Sequence, residues 1–436
     1  MKRALIISYY WPPSGGAGVQ RWLKFVKYFH DFCWEPVLFI PKNPEYPEID
    51  KSLEKDVPSR LELIRHPIWE PYGFYKKLIG RRKEEKINAA FLSEKKKNRF
   101  VENISIWIRG NLFIPDARKF WITSSVKRLS NYLNDHPVDI IISTGPPHSM
   151  HLIAMPLAER FSIPWVADFR DPWTDIDYYK DLKLSSWADK KHHALEKQVL
   201  EKANSVVVIS KTMAEVFRKI HDRKYEVITN GFDPEDIVEQ SLPVDKKFSI
   251  AHIGTLVSTR NPISFWEALK SLIAERDDFA KDLEIKLVGK IDFSISSAIE
   301  SYNLTKYLNK IDYQSHDEVV KCQRQSQVLL LIINNTPNSK MILTGKFFEY
   351  LAAKRPILCL GPEDGDASEI LKETCSGLIS GFDDFNGMKK NILSFYDRYK
   401  HGNLESESID IDRFSRKELA RQLTDILNRI IFKESL

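Results

Sequence analysis

Lys340-Met341-Ile342-Leu343-Thr344-Gly345-Lys346-Phe347-Phe348-Glu349-Tyr350-Leu351-Ala352-Ala353-Lys354-Arg355-Pro356-Ile357-Leu358 is the stretch on which the reading of this chain turns. A small basic loop opens into a short helix that carries one carboxylate, and a proline then leads into an apolar run of strand type. Free backbone N–H groups and the positive end of the helix dipole at Thr344-Gly345-Lys346 suit a diphosphate, and Glu349 suits sugar hydroxyls. The plainer alternative is an amphipathic helix that happens to begin at a glycine.

Outward from this stretch the same rhythm repeats. Strand-like runs at 248–253, 284–288, 307–311, 328–332, 356–360 and 376–379 alternate with helical patterns at 262–275, 294–302, 315–325, 345–354 and 383–399. An earlier series has strands at 4–8, 36–40, 61–65, 138–143, 165–168, 205–209 and 226–229, with helices near 19–32, 118–135, 149–161, 186–203 and 211–221. Alternation of this kind predicts parallel α/β architecture, and 436 residues exceed one core. We therefore expect two Rossmann-like domains, 1–240 and 241–412, with turn chemistry at Asn230-Gly231-Phe232-Asp233-Pro234 opening the linker. A final helix at 413–432 is expected to pack back on the first domain. Ligands of such sheets sit beyond the carboxyl ends of the strands, so the expected site is an interdomain cleft.

Composition narrows the function. Lys and Arg number 65 against 60 Asp and Glu, a net charge of +5 that is too mild for a dedicated nucleic-acid binder. The four cysteines, Cys33, Cys322, Cys359 and Cys375, lack disulfide or zinc spacing, which fits a reducing cytoplasm. The opening apolar run Ala4–Tyr10 is short and enters Trp11-Pro12-Pro13, so it reads as a first strand rather than a leader. No run of about 18 apolar residues is present to span a bilayer. Tyr75 to Arg99 is rich in Lys and Arg and precedes Ile104-Ser105-Ile106-Trp107-Ile108-Arg109, a pairing suited to an anionic membrane surface.

Several loops carry candidate chemistry. Trp11-Pro12-Pro13-Ser14-Gly15-Gly16-Ala17-Gly18-Val19-Gln20-Arg21 is a glycine-rich turn feeding a helix, only partly like a dinucleotide fingerprint. His148, after the strand end Ser143-Thr144-Gly145, is favoured over His151 to face a ligand. Asp168, Arg170 and Asp171 combine two carboxylates with a guanidinium suited to orienting an acceptor hydroxyl, the competing reading being an ion pair of Arg170 with one of the aspartates. Arg260, in the loop after Gly254, could hold a departing diphosphate together with Lys346. Asp175-Ile176-Asp177 and Asp410-Ile411-Asp412 are poorly placed for a divalent metal, so no metal and no cofactor are expected. His192-His193 reads as a solvated pair on a charged helix.

The whole chain resembles the GT-B glycosyltransferases, specifically the retaining family four, and within it the bacterial enzymes of polysaccharide and surface-glycan assembly. Gly345-Lys346-x-x-Glu349-Tyr350-Leu351-Ala352 with Lys354-x-Pro356-Ile357, the Gly15-Gly16 loop, and Gly254-Thr255-Leu256 with Arg260 carry the likeness. It implies that Gly16 lies against a donor diphosphate, that Arg260 and Lys346 neutralise it, that Thr344 and Gly345 donate backbone N–H groups, and that Glu349 holds the ribose. Three positions depart from the family pattern. Met341 stands where the first Glu of a Glu-x7-Glu pair is usual, Arg170 where a histidine is usual, and Thr255 where an arginine is usual. The implied substrates are a nucleotide-sugar donor and a glycan or lipid-linked acceptor, with Asp171, Arg170 and His148 as catalytic candidates. The implied setting is the cytoplasm, with peripheral contact on the inner face of the membrane. A sugar-nucleotide epimerase of the same fold and a non-catalytic scaffold for glycan assembly are the alternatives.

Overall fold

The structure, a computed structural model, describes residues 1–46, 48–71, 99–236 and 242–434. The basic stretch from 75 to 98 lies outside them. The chain divides into two compact units, Met1–Thr229 joined by Arg416–Leu436, and Asn230–Ser415.

In the first unit the strands are β1 (Lys2–Ile7), β2 (Trp34–Pro41), β3 (Glu62–His66), β4 (Ile140–Gly145), β5 (Trp165–Phe169), β6 (Ser205–Val208) and β7 (Glu226–Val227). They form one parallel sheet in the order β3-β2-β1-β4-β5-β6-β7. Its helices are α1 (Ala17–Phe29), α2 (Arg99–Leu112), α3 (Lys119–Asp135), α4 (Ser149–Phe161), α5 (Ser186–Lys202) and α6 (Lys211–Ile220). Ala4, Leu5, Ile6 and Ile7 of β1 are all fully buried, because helices cover both faces of a parallel sheet. The order of the strands reverses at β1 and β4, and the loops after those two strands are where such a sheet opens to a ligand.

In the second unit β8 (Phe248–Ile253), β9 (Leu283–Val288), β10 (Leu308–Ile311), β11 (Val328–Ile332), β12 (Ile357–Leu360) and β13 (Gly377–Ser380) form a parallel sheet in the order β10-β9-β8-β11-β12-β13. The helices are α7 (Ile263–Glu275), α8 (Asp277–Asp282), α9 (Phe293–Ser301), α10 (His316–Gln325), α11 (Gly345–Ala352), α12 (Asp366–Glu373) and α13 (Phe385–Lys400). One face of the sheet packs Trp266, Leu269 and Phe395, the other packs Phe347, Phe348 and Tyr350 of α11. The reversal here falls at β8 and β11.

The residues that follow Thr229 are built into the second unit. The Phe232 N–H donates to the Phe414 carbonyl at 3.1 Å, and the Phe232 ring is buried with α11. The chain then returns to the first unit as α14 (Arg416–Glu434). Leu419, Ala420, Leu423, Ile426 and Leu427 make an apolar stripe at helical spacing that enters the core formed by Trp22, Phe25 and Phe29 of α1. Lys2 donates to Asn428 at 2.7 Å and Lys417 pairs with Asp31 at 2.9 Å, fastening both ends of α14. Among the described residues no helix is long and apolar enough to cross a membrane.

Candidate active site

In the second unit the site is built on the loop after β8 and the N-terminus of α11. Gly254 has φ +125, a conformation open to glycine, and a Cβ there would stand 2.6 Å from Lys346 Nζ. Lys346 is the second residue of α11, and its helix is anchored to β8 because the Ile253 N–H donates to the buried Tyr350 hydroxyl at 3.0 Å. Burial, with the Arg260 guanidinium adding, brings the Lys346 ammonium down to about 8, while Glu349 pulls it the other way. Arg260 lies in the turn Ser258–Arg260 and donates to the Asn334 side chain. Thr344 is the N-cap residue with extended backbone, and its side chain makes no capping bond. Gly345 has open space around its Cα, with nothing within 4 Å of where a Cβ would be. Glu349 is half-buried and accepts from Gln323 at 3.4 Å. Gly254, Arg260, Lys346 and Glu349 are thus brought together, at a helix start whose backbone N–H groups lack a side-chain partner.

Met341 is buried in the short turn before α11 and offers no polar atom there. Arg355, also buried, spends its guanidinium on the Ser326, Gln327 and Leu404 carbonyls and is a structural tie.

In the first unit the loops after β1, β4 and β5 converge. Asp168 at the end of β5 is the hub. Its carboxylate accepts from Arg21 Nη2 at 2.9 Å, Trp22 Nε1 at 2.7 Å and Thr144 Oγ1 at 2.9 Å. Burial alone would raise its pKa, but Arg21 and the other donors outweigh it and hold the carboxyl below its ordinary value. The aspartate therefore pairs with Arg21 and not with Arg170, a pairing hidden in sequence by the 147 positions between them.

Arg170 is turned to a different use. Its guanidinium donates to the Gly18 and Pro146 carbonyls, and its Nε to the Gly145 carbonyl at 3.3 Å. With its donors taken up by backbone oxygens, Arg170 ties the loop after β4 to the start of α1. Gly18 is needed for this, because a Cβ there would lie 3.1 Å from Arg170 Nη1.

His148 and His151 are both buried. His148 stacks on Trp173 with ring centroids 4.6 Å apart, and His151 Nδ1 bonds to Ser143 at 2.8 Å. His148 Nδ1 and His151 Nε2 have no hydrogen-bond partner and lie 2.9 and 2.6 Å from where a Cβ on Gly145 would be. Burial first, and then the charges of His151, Arg170 and His192, push His148 well below its ordinary value, and burial brings His151 to about 3 against the upward pull of Asp168. Asp171 is half-buried beside this group. Burial pushes its carboxyl up to about 6 against the pull of Arg170, with Asp177 adding to the rise.

The loop that carries Asp171 is held from behind by α5. Buried Glu196 accepts from the Trp173 N–H at 3.0 Å, and Trp173 Nε1 donates to His192 Nδ1 at 3.0 Å. His192 is consequently a buried structural residue and only His193 is solvated, since the first faces Trp173 and the second faces out. Gly15 donates to the Glu48 carbonyl at 3.0 Å. Gly16, the N-cap of α1 with φ +87, is exposed. Among the described residues no three His, Cys, Asp or Glu side chains gather as a metal-binding set.

The two open parallel sheets, each reversing at its central pair of strands with a candidate site just beyond, define the GT-B class. Solved structures align along nearly the whole chain. Sucrose-phosphate synthase from Thermosynechococcus elongatus has a TM-score of 0.63 at 14% identity, covering 99% of this chain and 100% of its own. A glycosyltransferase from Rickettsia africae gives 0.61 at 14% identity, covering 99% and 98%. Anabaena HepE, solved in complex with UDP-glucose, gives 0.60 at 12% identity, covering 98% and 100%. At such identities these likenesses show the fold. No curated protein matches the sequence. Residues 84–236 match the model of Glycosyltransferase Family 4. The chain thus has the GT-B fold, with a stretch of its first unit similar to Glycosyltransferase Family 4.

Proposed function

We propose that this chain is a retaining glycosyltransferase that moves a sugar from a nucleotide-diphosphate sugar to a glycan or lipid-linked acceptor in polysaccharide or surface-glycan assembly. The observation that carries the donor assignment is the Lys346–Arg260 pair at the N-terminus of α11, packed against a glycine that leaves room for it. Two cations and free backbone N–H groups stabilise the diphosphate charge that develops as the sugar leaves, and Glu349 accepts from the ribose hydroxyls. The UDP-glucose bound by HepE, a protein of the same fold, supports a nucleotide-sugar donor. Retention follows if the acceptor hydroxyl attacks on the face from which the diphosphate departs, where a diphosphate oxygen can take the proton.

In the first unit Asp171 is the group suited to orient the acceptor hydroxyl, with His148 and Arg170 holding its loop. A carboxyl near 6 loses its accepting form as pH falls through that value, and an ammonium near 8 loses its charge as pH rises through that value. The expected kcat/KM profile is a bell between about 6 and about 8. Asp171→Asn should lower the rate and remove the acid limb; an unchanged acid limb in this variant would take Asp171 out of the mechanism.

The setting we assign is the cytoplasmic face of a membrane. Trp69 and Phe120 are exposed with ring centroids 5.0 Å apart, Trp187 is exposed, and Lys119 and Lys191 lie over the Phe120 and Trp187 rings. Aromatic rings beside ammonium groups suit the headgroup region of an anionic bilayer.

The test is nucleotide release from a panel of UDP-, GDP-, ADP- and TDP-sugars, with and without membrane lipid extract, followed by NMR of the product anomer. Release from one donor that depends on extract, with the donor's anomeric configuration kept, is the expected result. Interconversion of donor without acceptor would identify an epimerase instead, and an inverted anomer would overturn retention.

A further inference from the structure

His252 is the penultimate residue of β8 and 1% exposed, and neither the sequence motifs nor the donor site as described uses it. Its Nδ1 lies 3.1 Å from the Leu330 carbonyl of β11, the neighbouring strand. A carbonyl only accepts, so Nδ1 carries the hydrogen. Burial first, then the positive charges of Lys346 and Arg260, keep the ring neutral against the backbone carbonyls of Leu330 and Thr255. The remaining nitrogen, Nε2, therefore presents a lone pair, and Lys346 Nζ stands 3.3 Å from it.

We propose that His252 is a positioning residue for the donor diphosphate: its Nε2 accepts a hydrogen bond from the Lys346 ammonium and holds it against Gly254, leaving the other two hydrogens for phosphate oxygens. The proposal rests on the reading of Lys346 as a phosphate ligand. Its physical content lies in the choice of acceptor. A carboxylate at position 252 would neutralise the ammonium and compete with the diphosphate. An apolar residue would leave a four-carbon side chain to sample other rotamers, at a cost in entropy on each binding event. A neutral imidazole, itself locked by the Leu330 carbonyl, fixes the direction of the ammonium without removing its charge. Gly254 completes the arrangement, since a Cβ 2.6 Å from Nζ would push the amine out of reach of the ring.

The test uses the full chain and two probes, inorganic pyrophosphate and UDP, titrated by calorimetry. His252→Asn can reach the Leu330 carbonyl but stops short of Lys346. His252→Gln is long enough to place an amide oxygen where Nε2 was. A hydrogen bond to a charged group is lost in the first and kept in the second, so the Asn variant should bind pyrophosphate about 10-fold more weakly and the Gln variant within about 3-fold of the parent. Wild-type binding by the Asn variant, or equal weakening in both, would overturn the proposal. Nitrogen-15 NMR on the unsubstituted protein reads the tautomer directly, independent of whether a variant folds: a pyridine-type Nε2 is expected, and a pyridine-type Nδ1 would overturn it. Lys346→Ala separates the two levels. If that variant binds both probes as the parent does, the donor-site reading itself fails. If it loses binding while His252→Asn does not, the role of His252 alone fails.

Discussion

Lys346→Ala should reduce glycosyl transfer by about 10²–10³-fold while the protein remains folded, because one preorganised charge on a leaving group is worth that much in a site shielded from water. The loss should appear in kcat as well as in the donor KM, since negative charge on the diphosphate grows as the glycosidic bond breaks. Folding should be spared. Lys346 is half-buried at the start of α11, and its ammonium is already displaced to about 8 by burial and by Arg260, so its removal relieves a like-charge contact. The anchors of the helix are elsewhere, in Phe347, Phe348 and the Tyr350 hydroxyl bonded to Ile253. Nucleotide release together with a thermal melt decides the matter. Transfer retained in a well-folded variant would remove Lys346 from the diphosphate.

Asp168→Ala is expected to have the largest effect on stability, about 3–5 kcal/mol, because it leaves the Arg21 guanidinium buried without a counter-charge. Arg21 is 1% exposed and its Nη1 donates to the Thr229 carbonyl at 2.7 Å, so no solvent replaces the lost carboxylate. Trp22 Nε1 and Thr144 Oγ1 lose their acceptor at the same time. The loss should register in the denaturant midpoint of the first unit with little change in slope. Replacing both partners, Arg21→Met with Asp168→Leu, should recover much of it, because the uncompensated charge is then gone. A single Asp168→Ala that unfolds at the parent's midpoint would contradict the account. Activity should fall too, since Asp168 joins α1, β4 and β5 and so sets the loops that carry Gly16, His148 and Asp171.

The alternation of strands and helices is legible along the chain because central parallel strands buried on both faces, such as β1, β8 and β11, are short continuous apolar runs, while the edge strands β3, β7 and β10 are shorter on apolar residues and only partly buried. Helices α2, α8 and α12 show no legible helical pattern in the sequence. Two are short, and α2 carries exposed Ile104 and Trp107, which blur the apolar stripe a helix is recognised by. At the candidate site, the glycine of positive φ at 254 and the cations Arg260 and Lys346 were read from local motif and are found together. His252 and Asn334 were not, although a histidine inside an apolar strand is itself a sign that its ring has a partner.

Sequence by itself determined what lies within about ten residues of a motif: the strand, the glycine turn and the helix start that each carry a candidate group, since backbone conformation and dipole are local properties. Which distant side chains share those groups was decided by tertiary structure. Arg21 takes Asp168 and leaves Arg170 to the Gly18, Gly145 and Pro146 carbonyls; His252 reaches Lys346 across 94 positions; and α14 returns to α1 after the whole second unit. The reason is the order of the strands. Sheets that reverse at β1 and β4, and at β8 and β11, bring together loops far apart in sequence, and the cost of burying a charge then selects whichever partner the register places within hydrogen-bond reach.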